Sequence, residues 1–73
     1  MFSQRLKEIR KSKRITQKQA ALAVDVAERN YQDYEYGKHQ PTLSILIAIA
    51  DFFDVSLDYL TGRSDNPNSH KLP

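Results

Sequence analysis

The chain has no cysteine, which excludes a disulfide framework and any thiolate metal site and suits a reducing cytoplasm. It has no apolar run long enough to span a bilayer, and Phe2 is followed at once by polar Ser3, Gln4 and Arg5. Neither a membrane span nor a signal peptide is expected, so the expectation is a soluble, cytoplasmic protein. No glycine-rich phosphate loop occurs, and the histidines, His39 and His70, lack a nucleophile or a ligand set at workable spacing. An enzyme, a metal and a cofactor are therefore not expected. Acidic residues are scarce in the first third: up to Val24 the basic residues are Arg5, Lys7, Arg10, Lys11, Lys13, Arg14 and Lys18, against Glu8 alone. Beyond Pro41 the acids Asp51, Asp54, Asp58 and Asp65 outnumber Arg63 and Lys71. The net charge is only +2, but its distribution lets one end face phosphate and not the other.

What is present is 73 residues, one domain with a small core. Phe2, Leu6 and Ile9 repeat at i, i+4, i+7, which predicts an amphipathic first helix ending near Lys13. Thr16-Gln17-Lys18-Gln19 has the form of a capping box and starts a second helix whose apolar stripe is Ala20, Ala21 and Val24. The pattern breaks at Asp25 and resumes with Tyr31 and Tyr34 on one face and Glu28, Arg29, Gln32, Asp33 and Tyr36 on the others, until Gly37 supplies a stop. Thr42 after Pro41 caps a fourth helix with the inward stripe Leu43, Leu46, Ile49, Ala50 and Phe53. Ser56 caps a short fifth helix carrying Leu57 and Leu60. The expected fold is all-α, a bundle of about five short helices. Residues 1–62 form the domain, and 63–73 read as a polar, disordered tail or linker.

Two helices of about eight residues joined by a three- or four-residue turn form a helix-turn-helix, whose second helix can lie in the DNA major groove. Thr16-Gln17, Glu35-Tyr36-Gly37-Lys38, Pro41-Thr42 and Val55-Ser56-Leu57-Asp58 together resemble the Cro/repressor-type, or Xre, helix-turn-helix family over roughly residues 5–61. The resemblance implies a lambda-repressor-like fold and a DNA-binding role without catalysis. It pairs Arg10 with Glu35 as a structural, partly buried ion pair tying the first helix to the third. It also gives Gln17 a contact to backbone phosphate or an adjacent base, with Arg14 and Lys38 as phosphate neighbours. Base contacts are expected from Glu28, Arg29, Gln32, Asp33 and Asn30. Arg29 can bond guanine O6 and N7, Gln32 can do the same for adenine, and Glu28 or Asp33 can accept from a cytosine amino group.

The turn departs from the family pattern, with Asp25 where a left-handed Gly is usual and Ala27 where a Ser cap is frequent. Asp tolerates the left-handed conformation better than most residues. A second register stays open, because Asp25-Val26-Ala27-Glu28 is itself a D-x-x-E capping pattern that would start the third helix early and rotate its exposed face. Ile45, Ala48, Phe52 and Tyr59 are an apolar surplus, either completing the core or forming a partner surface, for which Ile45, Phe52 and Tyr59 are the candidates for homodimer contact. Two functions remain open: a sequence-specific DNA-binding repressor acting as a dimer on a palindromic operator, or a protein-interaction module such as an antitoxin with a protein partner. The acids Glu28, Asp33 and Glu35 weigh against the first, because a carboxylate not aimed at a cytosine amino group repels phosphate.

Overall fold

The computed structural model describes residues 2–67, which form α1 (Phe2–Ser12), α2 (Gln17–Ala23), α3 (Glu28–Tyr36), α4 (Leu43–Phe53) and α5 (Leu57–Leu60). These are the all-α elements the sequence patterns predict. Of the starts of α2 to α5, all but one are fixed by a side chain. Thr16 Oγ1 accepts the Gln19 backbone N–H at 3.0 Å while Gln19 Oε1 accepts that of Thr16 at 2.8 Å, a complete capping box. Thr42 accepts from Ile45 N–H, and Ser56 from Tyr59 N–H. The exception is α3, whose N-cap, Ala27, has an extended backbone and no side-chain bond to offer.

The helix ends share one device. Gly37 closes α3 with φ at 79°, and the Lys38 N–H reaches back to the Asp33 carbonyl at 2.9 Å, a Schellman closure. Asp25 (φ 60°) and Asp54 (φ 57°) serve the same purpose after α2 and α4, where Val26 N–H bonds Ala21 O and Val55 N–H bonds Ala50 O, each at 3.0 Å. The left-handed Asp25 decides the register of α3. An N-cap needs an extended backbone, so Asp25 cannot cap α3, and the D-x-x-E alternative does not form.

The core is a single cluster in which Leu6 and Ile9 of α1, Ala20 and Ala21 of α2, Tyr31 and Tyr34 of α3, Ile49, Ala50 and Phe53 of α4, and Leu60 of α5 are buried. Helix α3 packs against both α1 and α2, and α5 against α4 and α1. The alanines of α2 bring α3 close, as their small size allows. One stripe residue is misplaced: Leu43, expected inward, is 66% exposed because it opens α4 before the packed part of that helix begins. The fold does not stop at the expected boundary of Gly62. Ser56 N–H donates to Pro67 O at 2.7 Å, and Arg5 of α1 donates to Tyr59 O (2.9 Å) and Ser64 O (3.4 Å), so Arg63–Pro67 lie back on the domain. The rest of the predicted tail, 68–73 with His70, lies outside the described residues. Among the described residues no helix is long and apolar enough to cross a membrane.

Candidate nucleic-acid interface

Helices α2 and α3, joined by Val24–Ala27, hold one set of residues in and another out. Tyr31, Tyr34 and Glu35 point into the domain, which leaves Glu28, Arg29, Gln32 and Tyr36 on the open side of α3 by helical spacing. Arg29 is exposed and makes no hydrogen bond or ion pair among the described residues, whereas Glu28 and Gln32 touch only each other, at 3.5 Å. Tyr36 is 57% exposed, one turn past Gln32, with Lys38 Nζ 6.0 Å from its ring centre. Nothing in the core uses that ring. Its helical position relative to Gln32 and Arg29 is the signal the sequence offers for it.

Beneath this face lies a charged network. Arg10 Nε donates to Glu35 Oε2 at 2.6 Å and its second guanidinium nitrogen to Glu35 Oε1 at 3.2 Å, a two-pronged pair. The Glu35 side chain is fully buried and that of Arg10 12% exposed. The remaining Arg10 nitrogen donates to Ile15 O at 2.8 Å, so one residue ties α1, the α1–α2 turn and α3 together. Gln17 Nε2 adds a third donor to the carboxylate at 3.1 Å. Burial by itself would push the Glu35 carboxyl up; the hydrogen bonds from Arg10, with help from Tyr31 and Gln17, outweigh it and hold the group below its ordinary range. The pairing with Glu35 in turn raises the Arg10 guanidinium. Tyr31 lies fully buried beside the pair, and among the described residues its hydroxyl has no hydrogen-bond partner. Burial pushes its ionisation far up.

Two of the residues expected to contact DNA are engaged within the fold. Gln17, expected to bond phosphate, has its amide N–H turned inward to Glu35, because a buried carboxylate needs more donors than one arginine supplies. Asp33, expected to read a base, is largely covered, its side chain 15% exposed and its carboxylate 3.6 Å from His39 Nε2. Asn30 is exposed but sits apart from Arg29, on the rim of a cleft of about 280 Å³ formed with Tyr34, His39 and Gln40. Arg14 and Lys38 are exposed at the two loops flanking α2 and α3, Arg14 with a left-handed φ of 59°. On the far side of the domain Phe52 is 43% exposed and Ile45 is half-buried. Tyr59 is half-buried too, with the Arg5 guanidinium 4.1 Å over its ring, which covers part of the surface expected to be free. Among the described residues no group of three or more acids and histidines is placed to hold a metal ion.

The helix-turn-helix family model matches residues 6–60, most of the chain and all of this geometry. The chain belongs to that family, in its Cro/repressor (Xre) type. Its five-helix bundle is accordingly of the lambda-repressor kind. Over 68 residues this helix-turn-helix chain is 37% identical to the uncharacterized HTH-type transcriptional regulator YobD of Bacillus subtilis, covering 93% of the chain and 61% of YobD. It is 34% identical to the HTH-type transcriptional regulator ImmR of Bacillus subtilis over 64 residues, 88% of the chain and 50% of ImmR. It is also 38% identical to the cryptic phage CTXphi transcriptional repressor RstR of Vibrio cholerae over 71 residues, 97% of the chain and 63% of RstR. The chain thus spans from 50% to 63% of the length of these relatives. No solved structure matches it significantly.

Proposed function

We propose that residues 1–62 carry a sequence-specific DNA-binding unit of a transcriptional regulator, most simply a repressor that occupies a palindromic operator as a two-fold dimer. The observation that carries this reading is the sorting of charge on α3. Glu35 is buried and paired and Asp33 is covered, so the acids that weighed against DNA reduce to Glu28 on a face that also offers Arg29, Gln32 and Tyr36. That face has the chemistry for a major groove: Arg29 for guanine, Gln32 for adenine, Glu28 for a cytosine amino group, with Asn30 at the edge. Asp33 leaves the reading set and serves the loop instead. Phosphate contacts fall to Arg14 and Lys38, and to Gln17 through its backbone N–H at the start of α2. The names of YobD, ImmR and RstR as transcriptional regulators or repressors support the same reading.

Two copies meeting through Phe52, Ile45 and the free edge of Tyr59 would set their recognition helices about 34 Å apart, one turn of DNA. The test is selection of binding sites from random duplexes, by the parent and by Arg29→Ala. The parent is expected to return a two-fold symmetric site and Arg29→Ala a site relaxed at one base pair per half, at a cost of about 1–3 kcal/mol. An identical site of equal stringency from Arg29→Ala would remove this face as the reader.

A further inference from the structure

Besides the recognition face, a groove of about 410 Å³ lies between α1 and the end of α3, lined by Ser3, Gln4, Lys7, Glu8, Lys11 and Glu35. It opens beside the recognition helix: Glu35 belongs to both, and Ser3 Oγ is 3.6 Å from where a Cβ on Gly37 would stand. Lys7 and Lys11, one turn apart on α1, make no hydrogen bond or ion pair among the described residues. Of the acids in the groove, Glu35 is neutralised by Arg10, while Glu8 keeps its charge on the rim, accepting from the uncharged Gln4 Nε2 at 3.4 Å, so two cations stand against one free carboxylate. The groove therefore presents two unspent cations on the flank of α3 where Arg10 and Gln17 have turned their donors inward.

We infer that Lys7 and Lys11 form a phosphodiester-binding flank on α1, extending the DNA contact beyond the helix-turn-helix. The inference rests on the DNA reading proposed above and assigns its electrostatic footing to residues outside α2 and α3. The chemistry required is that of a polyanionic backbone. Ammonium groups act as point charges that take phosphate oxygens without reading sequence, and each phosphate neutralised releases condensed counterions.

The test is the salt dependence of binding to the selected duplex and to a random duplex by the parent, Lys7→Gln, Lys11→Gln and the double variant. Each single change should flatten the slope of log K against log salt by about 0.9, and the double variant by about 1.8, equally for both duplexes. A Lys7→Arg/Lys11→Arg double variant should keep the parental slope, and Arg63→Gln, at the acidic end of the chain, should leave it unchanged. Both lysines lack partners in the fold, so melting curves of these variants should overlay the parent. A double Gln variant with the parental slope, while the parent binds DNA normally, overturns the inference and leaves the DNA reading standing. A parent that shows no salt-dependent DNA binding overturns both.

Discussion

Replacing Arg10 by Met removes both prongs of the pair while keeping most of the aliphatic stem, and leaves the Glu35 carboxylate with Gln17 as its remaining side-chain donor among the described residues. Removing one partner of a buried ion pair costs about 3–5 kcal/mol. The low end applies here, because the surviving Gln17 bond still partly solvates the carboxylate. For a domain of this size about 3 kcal/mol lowers the melting temperature by roughly 12–24 °C. Glu35→Gln should cost less, about 2 kcal/mol, since the stranded guanidinium is 12% exposed, can take up water and keeps its bond to Ile15 O. The pH dependence adds a second reading. In the parent the Glu35 carboxyl is held below its ordinary value, so its stabilisation is complete above the unfolded value of about 4.3 and is lost as pH falls below it. Glu35→Gln removes that loss and should flatten the acid limb of the stability profile. In Arg10→Met the hydrogen bonds that offset burial are gone, so the carboxyl rises and takes up a proton more readily folded than unfolded. The gap between this variant and the parent should then narrow as pH falls from 7 toward 4. Thermal melts across that range measure all three proteins. Melting of Arg10→Met and Glu35→Gln within a degree or two of the parent at pH 7 would refute the reasoning.

The other consequences are simpler. Asp25→Gly removes a left-handed non-glycine residue (φ 60°) and should raise stability by about 0.5–1 kcal/mol, read by chemical denaturation; a loss would mean that the Asp side chain holds the turn. Thr16→Ala breaks the capping box of α2 and should cost about 1 kcal/mol in the same assay. Lys38→Ala should weaken binding to all duplexes alike and flatten the salt slope by about one unit, in contrast to the base-specific effect of Arg29→Ala. Phe52→Glu should abolish assembly on a palindromic duplex in sedimentation, and unchanged assembly would exclude that surface.

How much of this was legible in the residues depends on the range of the forces involved. Helix starts with a local cap were legible, because the partner lies within three residues: Thr16 with Gln19, Thr42 with Ile45, Ser56 with Tyr59. The start of α3 was not, since Ala27 has no side-chain bond to advertise and Asp25-x-x-Glu28 mimics a cap that the backbone forbids. The resolution came from α2, whose C-terminal carbonyls draw Val26 N–H back to Ala21 and leave Asp25 in the left-handed region. Within the site, Glu35 and Arg10 were paired by resemblance to a family. The outward set on α3 followed from spacing alone. The fate of Gln17 and Asp33 did not, because it turns on partners 18 residues along the chain for Gln17 and on the fold of the Gly37–Pro41 loop for Asp33. Arg5, reaching 54 residues to Tyr59, was invisible for the same reason.

The inward turn of Gln17 links stability to recognition. In a helix-turn-helix, the angle between the two motif helices sets how far the reading helix enters the groove, and here that angle is held by one carboxylate receiving donors from α1 and α2 while standing on α3. A bond that fixes the angle in the free protein lowers what must be ordered on binding. The amide hydrogen given to Glu35 is lost to phosphate while the second stays available, so the side chain can serve rigidity, contact or both. Gln17→Ala separates these effects. It should lower stability by about 1 kcal/mol, the worth of one hydrogen bond to a charged group that keeps its main partner. Affinity for DNA at fixed salt should stay near the parental value, because the amide is engaged with Glu35; the salt slope stays unchanged in either case, since an uncharged amide releases no counterion. Measured side by side, weakened DNA binding with unchanged melting would show that Gln17 turns outward to the DNA after all. Lowered melting with unchanged affinity would show that its place is inside the network.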